Sequence, residues 1–106
     1  MNAVPELDQI LEPDEKLHVA ARTSDAVLGV TDRRLVVAAP ERLALAIPFH
    51  ALRRIQFDIE RNRPATLVIV PESPADEPQV LSIPAERYRE TADALVMIGE
   101  RLATAS

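Results

Sequence analysis

The sequence has no cysteine, no tryptophan, only two glycines and only three aromatic side chains in 106 residues. Without cysteine there is no disulfide framework, no thiolate nucleophile and no sulfur-ligated metal. Stability must come from packing and backbone pairing, and the composition suits a reducing, cytoplasmic setting. Two glycines, Gly29 and Gly99, leave no glycine-rich loop to cradle a phosphate. Phe49, Phe57 and Tyr88, with no dense basic stripe around them, make a poor stacking platform, which excludes nucleic acid as the expected partner. Long apolar runs are missing too: the longest uncharged stretch, Leu43 to Leu52, contains Pro48 and His50 and is about half what a membrane-spanning helix needs. The first residues, Met1 to Asp8, lack the basic and apolar regions of a secretory signal.

Groups able to perform chemistry are equally sparse. His18 and His50 are the only histidines, without cysteine and without a His-x-x-x-His spacing, so no metal site is expected. No nucleophile elbow surrounds Ser24, Ser73 or Ser82. The expectation is a protein that is not an enzyme and needs no cofactor.

What is present begins with an asymmetry of charge. The net charge is -5, and Glu6, Asp8, Glu12, Asp14 and Glu15 stand without a basic partner before Lys16. Between positions 33 and 63, seven arginines face Glu41, Asp58 and Glu60, a local excess of four positive charges. The length suits one domain spanning 1–106, with an acidic lead-in over 1–15, strands over 16–84 and a helix over 85–104.

Nine prolines punctuate these elements, because proline fixes φ and removes a backbone donor. Pro5 opens a short lead-in helix with Leu7, Ile10 and Leu11 on one face and Pro13 as its stop, predicted to lid one end of a barrel. Seven strands follow, over about 16–22, 26–30, 34–39, 43–47, 52–60, 66–70 and 79–83. In the fifth, Ile55, Phe57 and Ile59 form an apolar row; the sixth, Thr66 to Val70, is β-branched enough for burial on both sides or nearly so. The period then becomes helical, with Tyr88, Ala92, Leu95, Ile98 or Gly99, and Leu102 on one stripe.

Leu28 to Val37 reads as two apolar runs joined by the tight turn Thr31-Asp32-Arg33-Arg34. With seven strands and one closing helix, the stretch Gly29-Val30-Thr31-Asp32-Arg33-Arg34-Leu35 resembles the signature of the bacterial pleckstrin-homology-like domains. The lead-in Leu11-Glu12-Pro13-Asp14-Glu15-Lys16-Leu17 is similar to theirs as well, with Asp14 where a glycine is frequent. The resemblance implies a mainly β split barrel of two orthogonal antiparallel sheets capped by the C-terminal helix. It also implies a non-catalytic module that binds lipid, peptide or protein, or assembles with itself.

Two surfaces compete for that role. Arg33, Arg34, Arg53 and Arg54 are candidates for binding an anion or a phosphate headgroup at a membrane surface, although Arg34 lying along the barrel wall and pairing with an acidic neighbour is the favoured reading. Headgroup binding is disfavoured, because relatives that bind phosphoinositides carry a basic cluster at the first hairpin loop, and here Thr23-Ser24-Asp25 has only Arg22 beside it. The third and fourth strands lack a polar face, which predicts that Val36, Ala38, Ala44 and Ala46 are covered by another protein chain, a second copy included; cover by a terminus or loop is the alternative.

Overall fold

Prolines stand at the margins of about half of the elements, and the alternating segments form strands. The structure is a computed structural model that describes residues 5–40 and 42–105. One antiparallel sheet, sheet A, holds β1 (Leu17–Arg22), β2 (Val27–Thr31), β3 (Arg34–Ala39) and β4 (Arg42–Pro48) in sequence order. The other, sheet B, holds β5 (Leu52–Asp58), β6 (Ala65–Pro71) and β7 (Gln79–Ile83). A 3₁₀ turn at Phe49–Ala51 joins the sheets, and another at Ala85–Arg87 leads into helix α2 (Tyr88–Ala105). Asn62 makes the β5–β6 turn at φ 62°, a left-handed conformation that asparagine tolerates better than most residues.

The inward faces of the two sheets enclose the main core, with Val30, Leu35, Leu67 and Ile83 all fully buried. Helix α2 closes it, inserting Ala94 and Ile98 at zero exposure, with Tyr88, Leu95, Met97 and Leu102 packed around them. Tyr88 meets Phe57 edge to face, ring centroids 5.7 Å apart. Thr91, also buried, satisfies its hydroxyl by donating to the Arg87 carbonyl at 3.0 Å. Ala92 lies on the exposed side of the helix and not on the predicted apolar stripe. Gly99 is exposed too, and a Cβ there would meet nothing within 4 Å. Gly99→Ala is therefore expected to stabilise the fold by about 1 kcal/mol, read as a higher urea midpoint.

A second, smaller core lies on the outer face of sheet A. Leu7, Val27, Val36 and Ala38 are buried there together, with Ile10, Leu11, Leu17, Ala20 and Ala46 around them. The lead-in, begun by α1 (Pro5–Asp8) and continued by a turn in which the amides of Ile10 and Leu11 donate to the Leu7 carbonyl, lies across this face. It lids the sheet and not the barrel end. Leu17 joins the outer cluster because a register shift between Leu17 and Val19 breaks the simple alternation of β1, as an extra residue in a strand does. Gly29 makes the approach possible: a Cβ there would stand 2.9 Å from Leu7 Cδ1.

Candidate functional site

Two hairpin turns carry the polar groups that sequence reading singles out, and in both the chain uses those groups itself. The Thr31 hydroxyl accepts from the amides of Arg33 and Arg34, each at 3.0 Å, and donates to Glu15 Oε2 at 2.7 Å. The Arg34 guanidinium grips the same carboxylate through Nε to Oε2 and Nη2 to Oε1, both 2.9 Å, and Nη2 also reaches the Ile10 carbonyl at 3.2 Å. Asp32 completes the clamp, accepting from the Lys16 amide on Oδ1 and donating its own amide to the Lys16 carbonyl, both at 3.0 Å. The turn is thus a latch on the lead-in, holding Leu7 over sheet A.

Glu15 has a fully buried side chain. Hydrogen bonding to Arg34, helped by Thr31 and by the Glu12 amide, holds its carboxyl down at about 2 from the usual 4.5, against the opposing effect of burial. Arg34 is raised in turn by its bond to Glu15. Arg33 pairs with Asp14 at 2.7 Å, but both side chains are largely in water, where an ion pair contributes little. Arg33→Ala should leave the urea midpoint of the protein unchanged.

The β1–β2 turn spends its donors as fully. The Thr23 amide donates to the Ala26 carbonyl and the Ser24 amide to Ser82 of β7, both at 2.9 Å. The amides of Asp25 and Ala26 both donate to Thr23 Oγ1. No amide of this turn is left for a phosphate, and Asp25 adds a negative charge to both shallow clefts there, one of which is also lined by Arg22 and the other by Arg42. Among the described residues no group of histidines and carboxylates could hold a metal ion, and no helix is long and apolar enough to cross a membrane.

The remaining candidates divide. Arg53 and Arg54 are exposed on β5, on a different sheet from Arg33 and Arg34. Val36 and Ala38 have no exposed surface to offer a second chain, because Leu7 and its neighbours already cover them; the missing polar face of β3 is explained by intramolecular cover. Ala46 is half-buried at the margin of that cluster. Ala44 packs instead against the main core, at the register shift where β3 and β4 fall out of step between Val37 and Ala38.

This architecture can be compared with solved structures. One from Shewanella amazonensis SB2B, described as a pleckstrin homology domain, superposes with a TM-score of 0.66 at 19% identity, over 92% of this chain and 93% of that one. The fold is that of a pleckstrin-homology domain. A DUF1696-family protein with a pleckstrin-homology domain, from Shewanella loihica PV-4, aligns with a TM-score of 0.60 at 20% identity, over 93% of this chain and 88% of that one. No family model matches the sequence, and no curated protein does. The pleckstrin-homology fold expected from the hairpin signature is therefore present, and in this chain the signature residues Thr31, Asp32, Arg33 and Arg34 all bind the lead-in. Glu15 stands out in sequence only as one more acid in an acidic stretch, so its part in the latch is unmarked there. An arginine pair in a tight turn shortly after such a stretch is the signal that would have found it.

Proposed function

We propose that the protein is a non-catalytic binding or assembly module that recognises a protein surface, a second copy of itself included. One observation carries this reading over headgroup binding: the amides of both hairpin turns, and the guanidinium groups of Arg33 and Arg34, are bonded within the chain. An anion arriving at the Arg34 site would have to displace a buried carboxylate that already has its hydrogen bonds, at a cost a surface contact does not repay. The pleckstrin-homology fold supports a binding role in general, and the choice of ligand lies with the surface.

Two measurements on the intact protein test this. Co-sedimentation with vesicles containing phosphatidylserine and a phosphoinositide, at low and high salt, should show no salt-sensitive binding; molar mass should rise with concentration, or a protein partner be retained. Salt-sensitive attachment to the vesicles, lost on changing Arg53 and Arg54, would favour the headgroup reading, because exposed charges are screened over a Debye length whereas an apolar contact persists.

A further inference from the structure

Sheet A has cover on its outer face, but among the described residues nothing covers the outward face of sheet B. The β-branched run of β6 suggests burial on both sides or nearly so; Ala65, Leu67, Ile69 and Pro71 are buried, and Thr66, Val68 and Val70 on the outward face are partly buried. Beside them on β7, Val80 is 68% exposed. Registers place Gln56, Val68 and Val80 in one row across the three strands, with Arg54 and Val70 to one side and Asp58, Thr66 and Ser82 to the other. The outward face therefore has an apolar centre, and on β5 it places Arg54 and Asp58, of opposite sign, two positions either side of Gln56, with the exposed Arg53 at the adjoining register shift. No residue of β6 or β7 adds another charge.

That placement has a symmetry consequence. A two-fold axis lying in the face and running across the strands reverses each strand while returning the central row to itself. It sets Val68 and Val80 over their own copies and brings Arg54 of each chain against Asp58 of the other. Such self-complementarity is what an isologous dimer requires. Asp58 is already paired within the strand, accepting from Gln56 Nε2 at 3.0 Å on each oxygen, but a carboxylate has lone pairs for a guanidinium as well.

We propose that the outward face of sheet B is a docking surface for a second copy of this chain, packed sheet to sheet with Arg54 and Asp58 exchanged across the two-fold axis. The inference rests on the reading of the protein as an assembly module and adds the surface and its partner. The shortest of the three strands, β7, has five residues and limits the shared face to only about 14 by 17 Å, smaller than that of a standard-size complex, so the dimer is a weak one.

Charge exchange provides the test. Molar mass is followed by light scattering from about 1 μM to about 1 mM for the unaltered chain, Arg54→Asp, Asp58→Arg, the two combined, and Val80→Lys. All three positions are exposed, so unchanged circular dichroism is expected throughout. Each single charge reversal sets like charges against each other and should weaken association about tenfold; the combined variant should recover it, and Val80→Lys should abolish it. If the unaltered chain associates and none of these variants changes its mass, this surface is wrong while the assembly reading stands. If the unaltered chain stays monomeric throughout, the self-docking proposal fails and only a different protein remains as the module's partner.

Discussion

Ile98→Ala should lower the stability of the protein by about 2–5 kcal/mol, the usual cost of emptying a well-packed aliphatic site, and so remove a large part of what holds a chain of this size folded. Ile98 is at zero exposure and is joined by Ala94 where α2 closes the core between the two sheets. Helix α2 packs mainly against β1, with the 3₁₀ turn at Phe49–Ala51 and β2 beside it, and strands held in a ladder cannot easily collapse around the missing atoms. Leu95 lies on the same helix but is only half-buried, so Leu95→Ala should cost distinctly less. Urea unfolding of both variants checks the order. Equal losses would mean that the helix is held by its whole flank and not by the plug.

The second large effect belongs to the latch. Glu15→Gln keeps the shape of the side chain and removes its charge, leaving Arg34 facing a neutral amide in a site where the carboxylate was fully buried. A loss of about 2–3 kcal/mol is expected near neutral pH. Because the carboxyl is depressed in the folded protein, from 4.5 to about 2, its contribution is complete above the unfolded value and disappears as pH falls between those two limits. The gap between Glu15→Gln and the unaltered protein should therefore be largest near pH 7 and close towards about pH 2. Unfolding curves across that range measure it. A gap that is independent of pH would show that the glutamate acts through shape alone. Arg34→Ala should also destabilise the fold, and more than Arg33→Ala, whose salt bridge to Asp14 is exposed.

Strand positions were legible because alternation and proline both leave marks in sequence: Pro48, Pro64, Pro71, Pro78 and Pro84 bound the elements closely. Register shifts leave none. The irregularity between Leu17 and Val19 sends Leu17 to the outer face, and no residue type announces it. Alternation extends the β5 apolar row to Ile59, yet the strand ends at Asp58 and Ile59 is 61% exposed. The two-sided apolar character of β3 correctly signalled cover, but composition says only that a face is dry and not which element dries it. The lead-in supplies that cover from within the same chain, through Leu7. On β6 the same signal predicts burial on both sides or nearly so, and there the outward residues Thr66, Val68 and Val70 are only partly buried. The pairing of Arg34 with an acid was foreseeable in kind; that the acid is Glu15 depends on how β1 and the β2–β3 turn lie together, which is a property of the assembled sheet.

The close fit of Leu7 over Gly29 bears on how such chains can diverge. The two residues share one small volume, with only 2.9 Å between a Cβ built at position 29 and the leucine methyl, so each limits what the other can become. A larger residue at 29 requires the Leu7 side chain to shift or to be smaller, and the two substitution costs are not independent. Among descendants of this sequence the pair should covary although it joins a strand to a segment outside the barrel. Asp14 and Arg33, paired in open solvent, are free to drift separately.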